Sequence, residues 1–169
     1  MKTIFINFIL LLAVPFSFSQ SIFADLRTLD GAFISSEKVV SGNQGTILVF
    51  WKVGNETCYD NLENLQEVWA GTIKAMGVRL VAICENDGIN WPKVKPLVYG
   101  KDWDFDIYID MNGDFKRLME VNDFPYTLLL DNKEEIKCRY SGYCNGDEEQ
   151  LCSKISHCLK EKGGLEDFE

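Results

Sequence analysis

Apolar and polar positions along this chain alternate with two different periods, and the changes of period mark out its elements. Residues 46–51, Thr-Ile-Leu-Val-Phe-Trp, are a near-continuous run of β-branched and aromatic side chains. Such a run makes a strand buried on both faces. Residues 52–56 follow as a loop, with Gly54 and Asn55 supplying the turn chemistry. Tyr59, Leu62, Leu65, Val68 and Trp69 then recur at helical spacing. They predict a helix over residues 57–76 that Asn55 or Thr57 can cap and Gly77 closes. Residues 78–84, Val-Arg-Leu-Val-Ala-Ile-Cys, read as the next buried strand.

Upstream of that unit, residues 23–35 place Asp30-Gly31 between short alternating segments, a hairpin signature, and a polar loop leads on to residue 46. Downstream, Asn90 ahead of Trp91-Pro92 predicts a capped short helix reaching about Tyr99. Residues 105–110 alternate as a strand, and Asn112-Gly113 turns into a short helix around residues 115–119. Residues 126–131 form another buried strand, with residues 135–140 as its antiparallel neighbour. Asp147 caps a final amphipathic helix that carries Leu151, Ile155, Cys158 and Leu159 on one face. The order describes an α/β domain over residues 20–161: a mixed central sheet flanked by helices, with an N-terminal β-hairpin extension and an inserted strand–helix segment. Residues 162–169 are a polar, flexible tail.

Residues 1–19 read as a secretory signal peptide. Lys2 is the positive region, residues 4–16 the apolar one, and Ser17-Phe18-Ser19 a small-x-small cleavage site before Gln20. Asn7 and Pro15 interrupt a run already short for a membrane span of about 20 apolar residues. The expected location is therefore outside the cytoplasm, periplasmic or secreted, with no membrane attachment after cleavage. The formal net charge is −9, and loss of the single Lys2 takes it to −10. That balance opposes both nucleic-acid binding and docking on an anionic membrane.

Six cysteines, 58, 84, 138, 144, 152 and 158, all fall after residue 20. An even number in an exported chain suggests disulfides, and six cysteines allow about 15 connectivities. Zinc is disfavoured, since the chain has no Cys-x-x-Cys pair and His157 is its only histidine. The same lone histidine leaves no Ser-His-Asp or Cys-His arrangement. Asp102, Asp104 and Asp106 alternate as in calcium loops but lack the later glycine and glutamate, so a solvated edge is the reading. No glycine-rich phosphate loop is present, and no cofactor is implied.

The strand–loop–helix unit carries a resemblance. Phe50-Trp51-Lys52-Val53-Gly54-Asn55-Glu56-Thr57-Cys58 is similar, without a gap, to the F-W-x-x-W-C-x-x-C active site of thioredoxin-fold, TlpA/ResA-like thiol–disulfide oxidoreductases in the AhpC/TSA-redoxin superfamily. Phe50, Trp51 and the second, resolving cysteine, Cys58, are kept. Asn55 replaces the first, nucleophilic cysteine and Gly54 the tryptophan before it. The stretch Val121-Asn122-Asp123-Phe124-Pro125-Tyr126-Thr127-Leu128-Leu129-Leu130-Asp131 resembles the family's V-x-x-x-P-x-T-F-L-I-D segment. The likeness spans residues 22–161. It implies a thioredoxin fold, a cis bond before Pro125, and a groove for extended polypeptide formed by Trp51, Phe124 and Tyr126.

A working dithiol needs an exposed thiolate at the helix start and a second thiol three residues on. Asn55 caps a helix but cannot be oxidised. Glu56 and Asp60 would further disfavour a thiolate at Cys58. Three readings stay open. The first is a redox-impaired, exported thioredoxin-like protein, acting by monothiol exchange at Cys58 or as a binding module for extended polypeptide or a thiol protein. The second is a one-cysteine, peroxiredoxin-like peroxidase. The third is a structural or interaction domain with Cys58 locked to Cys84. The bridges considered are Cys58–Cys84, Cys144–Cys152 and Cys138–Cys158. Oligomeric state is left open.

Overall fold

Seven strands form one mixed sheet: β1 (Asp25–Thr28), β2 (Phe33–Ser35), β3 (Gly45–Lys52), β4 (Val78–Glu85), β5 (Asp106–Asp110), β6 (Tyr126–Asp131) and β7 (Ile136–Ser141). The computed structural model describes residues 23–85 and 91–144, together with Gly146, Gln150, Ser153 and His157. The strand order is β2-β1-β5-β4-β3-β6-β7. β3, β4 and β5 run parallel, while β6, β7, β1 and β2 join antiparallel at the two sides.

The apolar run predicted to be buried on both faces is β3, and its alternation divides the core. Ile47, Val49 and Trp51 point to one face, where they meet Leu80, Ala82 and Cys84 of β4. That face is covered by α2 (Glu56–Val68) through Cys58, Tyr59, Leu62 and Leu65, and by α3 (Trp91–Gly100) through Val94 and Val98. Leu48 and Phe50 point to the other face with Val81, Ile83, Leu128 and Leu130. There α1 (Ser36–Val40) and α4 (Asp114–Leu118) close the core with Val39, Val40 and Phe115. A two-residue period in a strand sandwiched by helices produces this split.

Two elements differ from the sequence expectation. The stretch read as a polar loop after the hairpin contains α1, whose start is capped by the Ser35 hydroxyl accepting from the Glu37 N–H at 3.3 Å. Five residues are too few to show helical periodicity, and burial of Val39 and Val40 supplies the stabilisation that propensity does not. The helix expected over residues 57–76 starts one residue earlier and is regular only to Val68. A π-helical turn, Trp69–Ile73, and a 3₁₀ turn, Lys74–Met76, then bring it to Gly77, whose φ of 78° is the left-handed conformation that ends helices. Trp69 Nε1 donates to the Val78 carbonyl at 2.8 Å at that change of winding.

Asp104 and Asp106 pair with Lys74 and Arg79 at the solvated edge. Gln150, Ser153 and His157 are helical. The expected signal segment, the Asn90 cap, the Asp147 cap with Leu151, Ile155, Cys158 and Leu159, and the 162–169 tail lie outside the described residues.

Candidate functional site

The site is built where β3 ends and α2 begins. Gly54 has a φ of 85°, and nothing lies within 4 Å of where a Cβ would stand, so the backbone conformation rather than space selects glycine. Its N–H donates to the Tyr59 hydroxyl at 2.6 Å, tying the loop to the second turn of the helix. Asn55 is the N-cap: its Oδ1 accepts from the Cys58 N–H at 3.3 Å, and its backbone carbonyl accepts the Cys58 and Tyr59 amides. Asn55→Ala should therefore cost about 1 kcal/mol of stability, read as a lower denaturation midpoint with unchanged slope.

Cys58 is fully buried on the inward face of α2. Burial pushes its thiol up to about 11, opposed by the Lys52 backbone amide that favours the thiolate. Cys84, also fully buried, is pushed up to about 12 by burial; the Val53 amide opposes this, while Cys58 and Glu85 add to it. Cys84 Sγ donates to the Glu85 carbonyl at 3.6 Å. The amides that favour the two thiolates are thus consecutive, at and just beyond the end of β3.

These shifts give a signed expectation. At pH 8 only about one Cys58 in a thousand is a thiolate, so native alkylation should be slow and rise about tenfold per pH unit until near pH 11. A thiol pKa raised in the folded state means the fold holds its protons longer than the unfolded chain. Stability is then full below the ordinary thiol value of 9.0 and falls as pH climbs through the window to about 11 for Cys58 and about 12 for Cys84. Iodoacetamide kinetics and denaturant midpoints across pH 7–11 measure both.

The structure redistributes the expected groove residues. Trp51 is fully buried, edge-on to Tyr59 at 6.2 Å and Trp103 at 5.5 Å, so it presents no surface to a substrate. The cause is the strand alternation, which puts position 51 on the face that α2 covers. Phe124 and Tyr126 are half-buried, Pro125 is buried, and the Phe124–Pro125 peptide is cis. β6 pairs with β3 through Tyr126 opposite Phe50, which brings Pro125 to the end of β3 where the Lys52–Asn55 loop starts. Lys116 lies over the Phe124 ring at 5.0 Å and pairs with Glu85 at 2.8 Å, connecting the proline segment to the end of β4.

Sequence reasoning passed over two features of this end of the sheet. Trp103 completes an aromatic cluster with Trp51, Tyr59 and Phe105, for which its spacing of two from Phe105 was the available signal. The Lys116–Glu85 contact had none, since the partners lie 31 residues apart.

The expected bridges Cys58–Cys84 and Cys138–Cys158 are not formed: Cys58, Cys84 and Cys138 are thiols. Cys138 lies on β7 opposite Leu129, half-buried against the sheet. Cys144 is exposed, and its expected partner Cys152 lies outside the described residues, as does Cys158. Among the described residues no cluster of His, Cys, Asp and Glu has the arrangement of a metal site.

A parallel strand–helix–strand unit with an antiparallel pair beside it, and a cis-proline at the end of the strand that feeds the helix, defines the thioredoxin fold. The chain belongs to the thioredoxin-like proteins. It is 32% identical to an uncharacterized thioredoxin-like protein from Porphyromonas gingivalis, with a TM-score of 0.71, over 86% of this chain and 94% of that one. Two further solved structures share the fold at lower identity. StoA from Bacillus subtilis matches at 24% identity and TM-score 0.63, over 79% of this chain and 96% of its own. An exposed lipoprotein thioredoxin from Streptococcus pneumoniae matches at 13% and 0.65, over 80% and 98%. No family model and no curated protein matches the chain.

Proposed function

We propose that this is an exported, TlpA-type member of the thioredoxin-like proteins that is redox-impaired at the usual attacking position. Its remaining roles are slow thiol exchange through Cys58 and holding an extended polypeptide, or a thiol protein, against Phe124, Pro125 and Tyr126. The observation that carries this is Asn55: it occupies the N-cap at the exposed start of α2, where amides and helix dipole would activate a thiol, and it offers an amide instead. Burial of Cys58 supports the same reading, because a shielded, protonated thiol attacks disulfides slowly. Half-exposed Phe124 and Tyr126 flank the buried proline and leave apolar surface at the same end of the sheet. The signal-like N-terminus supports export.

The test is insulin reduction with dithiothreitol. Wild-type protein should add little to the uncatalysed rate; turnover equal to that of an intact dithiol thioredoxin would overturn the proposal. N-terminal sequencing of protein recovered from outside the cytoplasm should start at Gln20, and a retained Met1 would count against export.

A further inference from the structure

We propose that Cys58 and Cys84 form a reversible dithiol, with Cys84 resolving the mixed disulfides that Cys58 makes, in place of the pair that Asn55 interrupts. The inference rests on the reading above only for the direction of attack, through Cys58.

Three structural facts converge. The parallel register of β3 and β4 sets Cys84 opposite Trp51, with its side chain on the face covered by α2. Cys58 is on the inward face of α2, in the same buried core cluster as Cys84. The amides that favour the two thiolates belong to consecutive residues, Lys52 for Cys58 and Val53 for Cys84, and Cys84 lies within the electrostatic reach of Cys58. The amides also give both sulfurs a donor for negative charge as it develops.

The chemistry balances with a disulfide, R–S–S–R, as oxidant. Cys58 loses its proton and attacks one sulfur, forming Cys58–S–S–R and expelling R–S⁻, which is protonated to a thiol. Cys84 then loses its proton and attacks the Cys58 sulfur, forming the Cys58–Cys84 disulfide and releasing the second thiol. Two electrons pass from the dithiol to the substrate, and the two thiol protons appear on the two products. Excess thiol runs the sequence backwards.

The structure also orders the two steps. Cys58 stands at the first turn of α2, directly under the Gly54–Asn55 loop, while Cys84 is on a central strand with β3 and β5 on either side. Cys58 is the less deeply desolvated of the two, so a disulfide admitted by movement of that loop reaches it first, and Cys84 acts on the sulfur already inside.

The full-length mature protein is equilibrated in buffers of reduced and oxidised glutathione, quenched in acid, alkylated in denaturant and mapped by mass spectrometry. The expected result is one peptide pair joined through Cys58 and Cys84, appearing in oxidising buffer and lost in reducing buffer. Cys84→Ala should instead accumulate glutathione on Cys58, and Cys58→Ala should leave Cys84 unmodified. Cys138→Ser should form the same pair as wild type. Far-ultraviolet circular dichroism of each variant confirms folding, and Cys84→Val serves if Cys84→Ala does not fold. Alkylation of both Cys58 and Cys84 after oxidising equilibration would overturn the inference, as would bridging of Cys58 to any other cysteine. The outcome is separable from the insulin assay: an internal pair that fails to form leaves the assignment of the impaired position at Asn55 intact, and an internal pair that forms while wild type reduces insulin at full rate refutes that assignment alone.

Discussion

Asn55→Cys should gain disulfide-reductase activity in the insulin assay, by one to two orders of magnitude over wild type on the order expected when a low-pKa thiolate is added at a helix start. The backbone is already arranged for it. Position 55 begins α2 with its φ at −111° and ψ at 104°, the extended geometry of an N-cap, and its carbonyl already accepts the Cys58 and Tyr59 amides. A thiol there would face the free amides of the first turn and the positive end of the helix, which lower its pKa. Cys58 lies three residues on and would serve as the resolving thiol. The substitution also removes the Asn55 Oδ1 contact to the Cys58 amide, so a modest loss of stability, about 1 kcal/mol, should accompany the gain. Equal activity in the two proteins would place the attacking group elsewhere, and Cys58→Ser in the wild-type background would then identify it. No gain at all would mean Cys58 is unavailable to resolve.

The second large effect concerns stability. Trp51→Ala should lower unfolding free energy by about 3–5 kcal/mol, the range for removing a fully buried aromatic side chain. Trp51 is the hub of the aromatic cluster, in edge contact with both Tyr59 and Trp103. Its indole Nε1 is buried without a hydrogen-bond partner among the described residues, so Trp51→Phe forfeits no such bond. That variant should cost only about 1–2 kcal/mol, chiefly through lost volume. Urea unfolding followed by circular dichroism separates the two. A Trp51→Ala protein as stable as wild type would show that this side chain is not the packed hub its contacts describe.

The sequence by itself determined the features that depend on near neighbours. Residues 46–51 and 78–84 announce strands β3 and β4 because near-continuous, β-branched apolar runs of this length suit doubly covered strands. Asn55 announces the cap because its short amide reaches an amide three residues on. The cis bond at Phe124–Pro125 was likewise legible, through the resemblance of the segment around it to the thioredoxin-fold family. Tertiary structure decided what depends on register and coverage. Trp51 was expected in a groove and is instead sealed beneath α2, because the face it occupies follows from which helix lands on which side of the sheet. The π turn at Trp69 and the capped five-residue α1 are stabilised by burial rather than by periodicity, so no local pattern could announce them. Cys58 and Cys84 lie 26 residues apart in sequence, and only the parallel alignment of β3 with β4 under α2 puts both in one buried cluster. Whether two distant cysteines meet as thiols or as a bond is a property of that packed layer, which burial keeps neutral and the chain's spacing alone does not encode.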